Sequence, residues 1–102
     1  MKNLLKTIAV CAFMMPLPAQ AQASEICPTI GRLAESIMTA RQSGVPISQA
    51  YGLANGNELA MGMIQQAWDK TRWHSDGAQL REVQDFKEQW EVACYQAQGV
   101  GA

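Results

Sequence analysis

The chain has 102 residues and a mass of 11.2 kDa, room for one small domain. Hydrophobic residues make up 48%, charged residues 17%, and the formal net charge is −1. That balance excludes a disordered tail, a collagen-like repeat, a basic nucleic-acid binder and any large enzyme with separate cofactor and substrate domains.

The first segment reads as an address. Lys2 and Lys6 give a positive start, and residues 7–17 follow as an uncharged, largely apolar run. The run is shorter than the roughly 20 residues that span a bilayer. Small residues then alternate with glutamine, giving two overlapping A-x-A patterns that end at Ala21 and Ala23. This is the pattern of a secretory signal peptide, with cleavage expected after Ala23 or, as a near alternative, after Ala21. Cys11 sits inside the run behind Val10, too early and with the wrong neighbour for a lipidated amino terminus. Cleavage after Ala23 leaves residues 24–102 as a single domain of about 79 residues, the size at which one core is marginal. Loss of two lysines takes the mature charge to about −3, which disfavours nucleic acid and anionic membrane surfaces as partners. The expected location is the periplasm or the medium, without stable membrane insertion.

Two cysteines remain in the exported part, Cys27 and Cys94. In an exported chain of this size the expectation is one disulfide between them. It closes a loop of about 67 residues, worth roughly 4 kcal/mol on the chain-entropy model. A redox or nucleophilic cysteine would need a C-x-x-C partner or a nearby cation, and neither position has one in sequence.

The domain reads as all-α, a small bundle of three or four helices. After Pro28, the positions Ile30, Leu33, Ala34, Ile37 and Met38 step by three and four along one face, predicting a helix over about 29–43 with Pro28 in its first turn and Gly44 as its stop. Ser48 is a candidate cap for a short helix through Ala54, stopped by Gly56. Asn57 can cap a third helix whose apolar face is Ala60, Met63, Ile64, Ala67 and Trp68. Residues 71–77 are polar apart from Trp73 and read as a connection. Ser75 or Asp76 can cap a last helix with the face Leu80, Val83, Phe86, Trp90, Ala93, Cys94 and Ala97. The Gly-rich tail from Gln98 onward is expected to fray. A Cys27–Cys94 bond then requires the first and last helices to pack roughly antiparallel, with the middle helices closing the core.

No residue set reads as catalytic. His74 is the only histidine, and with Asp69, Ser75 and Asp76 near it in sequence it forms no triad, because adjacent side chains diverge. One histidine cannot supply a zinc site. Met61 and Met63 form M-x-M with Met38 elsewhere, a copper(I)-binding residue type, but positions two apart on a helix point about 200° apart. Glu82, Asp85, Glu88 and Glu91 alternate with Arg81 and Lys87 and read as a solvated face with local ion pairs. Arg41 can serve the carboxyl end of its helix, cover apolar surface with its stem, or reach a carboxylate on the last helix. Trp73 has two readings. It folds back to cap the core, the simpler one, or it joins Arg72 and His74 as a partner-contact patch, since Trp and Arg dominate binding hot spots. No cofactor and no metal is implied.

The order of features resembles a loose group of small exported helical proteins encoded by bacteria, phages and mobile elements. The resemblance rests on a cysteine leading into a helix and on Ala40-Arg41-Gln42-Ser43-Gly44-Val45-Pro46, an Ala-Arg-Gln-x-Gly-x-Pro pattern. It also rests on the Ala67-Trp68 pair, where the group often has Ala-Tyr, and on Phe86 and Cys94 in the last helix. The resemblance implies location and helical form, and no catalytic residue. The expected function is non-enzymatic binding of an envelope protein or of a phage or toxin component. A periplasmic holdase chaperone is the alternative, separable because it should expose more apolar surface in acid. The sequence leaves the partner and the oligomeric state open.

Overall fold

A computed structural model describes residues 19–99 of the chain, with side chains from residue 25 onward. The positive start, the apolar run and Cys11 lie outside the described residues, as do residues 100–102 of the tail. Four helices follow one another: α1 (Ala19–Gln42), α2 (Ile47–Ala54), α3 (Glu58–Trp68) and α4 (Asp76–Ala97). Among the described residues there is no strand, and no helix is long and apolar enough to cross a membrane.

α1 and α4 form the main packed pair; α3 lies next against α1, and α2 leans on α3 while touching α1 lightly. Ala34 and Met38 from α1, Met63 and Ala67 from α3, and Val83 and Phe86 from α4 make one buried cluster. Ile30, Leu33, Ile37, Trp68 and Trp90 flank it. The expected apolar faces of α1 and α3 are therefore the ones that pack. Phe86 and Trp90 meet edge to face, centroids 6.3 Å apart, a favoured aromatic geometry.

Cys27 and Cys94 are joined, Cα–Cα 5.5 Å, and Cys27 is fully buried. The bond ties the amino-terminal part of α1 to the carboxyl-terminal part of α4, as the antiparallel arrangement requires. Close by, Gly31 is buried and the Glu91 side chain lies where a Cβ would stand, so the missing side chain is what lets the two helices close up. The ion pair among the described residues also joins α1 to α4, Glu35 to Lys87 at 3.9 Å, in place of the local pairs expected within α4. At that distance and exposure it stabilises little.

Several local expectations are corrected. α1 begins at Ala19, so Pro28 stands inside it and not in its first turn; the helix continues because one missing N–H costs less than breaking a disulfide-anchored helix whose next turns are buried. α2 starts at Ile47 with Pro46 in extended conformation as its cap residue, leaving Ser48 inside the helix with no capping role. Pro46 fixes its own φ and its carbonyl opens the helix, accepting from Gln49 and Ala50. Gly77 belongs to the first turn of α4. Leu80 is 61% exposed, because it lies at the margin of the packed face, about 120° round the helix from Phe86; Ala93 and Ala97 are exposed as well.

The remaining stops and caps follow the sequence. α1 ends in a Schellman turn: Gly44 N–H donates to Arg41 O, Val45 N–H to Ala40 O, and Gly44 takes φ +87°, a conformation open to glycine. Asn57 Oδ1 accepts from Ala60 N–H to cap α3. Ser75 Oγ accepts from Ala78 N–H to cap α4.

Candidate functional site

The connection between α3 and α4 is where unusual chemistry gathers. It has no secondary structure of its own, yet side chains of α1 and α4 fix its backbone at successive points. Gln42, in the last turn of α1, is 3% exposed. Its amide nitrogen donates to Thr71 O at 2.8 Å and to Met38 Sδ at 3.5 Å, and its amide oxygen accepts from Trp73 N–H at 2.8 Å. Arg41, beside it, donates through Nε and Nη2 to Lys70 O at 3.2 and 2.9 Å. Its guanidinium also stands 6.0 Å from the Trp68 ring centroid, within cation–π range. From the other side, Gln79 of α4 donates to Trp73 O at 2.7 Å.

This explains the Ala-Arg-Gln-x-Gly-x-Pro pattern physically. Arg41 and Gln42 clamp the connection, Gly44 turns the chain with a left-handed φ, and Pro46 opens α2. Arg72 closes the arrangement: its Nε lies 3.4 Å from Gln42 O, and its guanidinium lies over Gly44, where a Cβ would come within 2.6 Å of it. Arg41 directs both of its hydrogen bonds to one carbonyl of the connection, Lys70 O, and not to the carboxyl end of its own helix or to a carboxylate of α4. Gln42 was not legible as a site residue. The sequence groups it with Arg32, Glu35 and Thr39 on the polar side of α1; the structure instead buries it, four residues on from Met38 and on the same face.

Arg72, Trp73 and His74 are brought together on this connection and all three are exposed. Trp73 is 44% exposed while its peptide N–H and C=O are both held. It does not cap the core; Phe86 and Trp90 do so from α4. The Ser75 hydroxyl is taken by the α4 cap, so beside His74 it serves as a structural acceptor. Met38 and Met63 are fully buried and Met61 partly exposed, so the three methionines share no open face. Among the described residues no group of three or more His, Cys, Asp or Glu could hold a metal ion.

A second feature also involves Trp68. Helices α1, α2 and α3 leave an open groove of about 410 Å³ between them, lined by Leu33, Ile37, Leu53, Ile64 and Trp68 among others. Comparison with protein-family profiles, curated proteins and solved structures finds no match to this chain.

Proposed function

We propose that this is an exported, non-enzymatic binding protein that docks on an envelope protein or on a phage or toxin component through Arg72, Trp73 and His74. The observation that carries the reading is the contrast at Trp73: a backbone held by two buried or helix-borne amides, and a large aromatic residue left 44% exposed. Ordering a loop in advance removes part of the entropic cost of association, and Trp and Arg are the residue types that dominate interface energy. Export is supported by the lysine-flanked apolar run, the A-x-A patterns and the disulfide, which belongs to oxidising compartments. The periplasm is the location that fits all three, and the resemblance to small exported helical proteins of phages and mobile elements points the same way.

Pull-down from periplasmic extract with mass spectrometry, run in parallel for the wild type and Trp73→Ala, tests the reading. A specific protein recovered with the wild type should bind the variant more weakly by roughly 2 kcal/mol, about 30-fold, at unchanged helical content and melting temperature. Equal recovery by both proteins overturns it. So does a core-like stability loss of about 3–5 kcal/mol, which would make Trp73 a packing residue.

The exposed leucines Leu53 and Leu80 favour a second reading, a holdase chaperone. Binding of an apolar dye that climbs steeply as pH falls supports it; a flat profile supports the first.

A further inference from the structure

The groove between α1, α2 and α3 is independent of the Arg72–Trp73–His74 patch, and three observations define what it suits. Its described lining contains no charged side chain, so a charged guest would lose its hydration with nothing to replace it. The polar side chains at its edge are Ser36, Gln49 and Asn57; the Ser36 hydroxyl donates to Arg32 O and Asn57 Oδ1 is used in capping α3. The edge therefore offers uncharged hydrogen-bonding groups at most. The volume of about 410 Å³ lies within the roughly 300–1,000 Å³ range of small-molecule pockets. A helix about 10 Å wide fills that space with a single turn, too little for a helical partner to anchor.

The lip of the groove supplies a further, independent observation. Leu53 is 78% exposed, the most exposed large apolar side chain among the described residues, and it sits on the short α2. That helix leans on α3 and touches α1 lightly. Its two ends are turns with positive φ, at Gly44 on one side and at Asn55 and Gly56 on the other. A guest lying between α1 and α2 would cover Leu53 and give α2 the α1-side packing it lacks.

We infer that this groove binds a small uncharged apolar molecule, with Trp68, Ile64 and Ile37 along its wall and Leu53 as its closing lip. The guest carries at most one neutral hydrogen-bonding end, placed toward Gln49.

The test uses N-phenyl-1-naphthylamine, an uncharged apolar fluorophore, titrated into the oxidised protein at neutral pH. The expected result is a saturable rise in emission at one probe per chain. Ala40→Phe, which fills the groove from α1, should weaken binding about tenfold or more, and Leu53→Ser, at an exposed position, should weaken it several-fold without altering helical content. Trp73→Ala should bind the probe as the wild type does, which separates this site from partner docking. Unsaturable binding, or more than one probe per chain, overturns the inference. So does unchanged affinity in Leu53→Ser together with unchanged affinity in a folded Ala40→Phe. Equally tight binding of an anionic analogue such as anilinonaphthalene sulfonate overturns the uncharged class. A dimer by analytical ultracentrifugation that excludes the probe until it dissociates assigns the groove to a second copy of the chain and overturns the small-molecule inference.

Discussion

Gln42 makes contacts that no apolar residue in its place reproduces. It donates to Thr71 O and accepts from Trp73 N–H through a side chain that is itself buried, in two part-buried bonds. Replacement by leucine keeps the bulk but strands both backbone groups, each costing about 1–3 kcal/mol. Gln42→Leu should therefore lose about 2–4 kcal/mol in urea unfolding, with faster hydrogen exchange at the Trp73 amide. Gln42→Glu keeps an acceptor for Trp73 but sets a carboxylate against the Thr71 carbonyl, so it should rescue little. Trp90 presents the converse case. Its indole N–H is buried with no hydrogen-bond partner among the described residues. Trp90→Phe removes that unsatisfied donor along with some ring volume. The two effects oppose each other, so the net change should stay within about 1 kcal/mol; thermal unfolding measures it.

At the scale of elements, what was legible and what was not divides along the source of the signal. The faces of α1 and α3 were readable because their three-and-four spacing is fixed by helix geometry, and Asn57 and Ser75 were readable as caps because short polar side chains accept from the first turn. Ser48 failed as a cap because Pro46 sets the backbone earlier. Leu80 failed as core because a three-and-four spacing admits residues at the margin of a face, and Leu80 lies about 120° from Phe86. At the candidate site, Arg72, Trp73 and His74 were found by residue type and loop position. The clamp that orders them was not, since Gln42 and Trp73 are 31 residues apart and no local pattern encodes that contact. Two substitutions test the local devices. Ser75→Ala should cost about 1 kcal/mol through loss of the cap. Gly44→Ala should cost about 1–2 kcal/mol, because φ +87° is strained for any residue with a Cβ, and it should displace Arg72. Thermal melts give the first; the second also needs exchange rates at residues 70–73. Pro28 marks a further point about α1. Cleavage after Ala23 would make Pro28 the fifth residue of the mature chain, close to the helix start, where proline is better tolerated than in a helix interior. Intact-mass measurement of the exported protein locates the cut, and retention of Met1 would remove the signal-peptide reading.

At the scale of the whole molecule, the Cys27–Cys94 bond spans 67 residues, worth roughly 4 kcal/mol of denatured-state entropy. For a domain with a typical total of about 5–15 kcal/mol, the paired variant Cys27→Ser/Cys94→Ser should melt far below the oxidised wild type, or fail to fold at 37 °C. An unchanged melting temperature would show that the packed faces suffice alone. The bond stands at one end of the α1/α4 pair, and Gln42 with its bonds to Thr71 and Trp73 stands about 22 Å along α1 at the other. The molecule is thus built like a jaw, with a covalent pin at the back and a hydrogen-bonded catch at the front. The pin keeps α1 and α4 within reach of each other even when the catch is released, at an effective concentration set by the tether. Re-closing the catch is therefore an intramolecular event, independent of protein concentration.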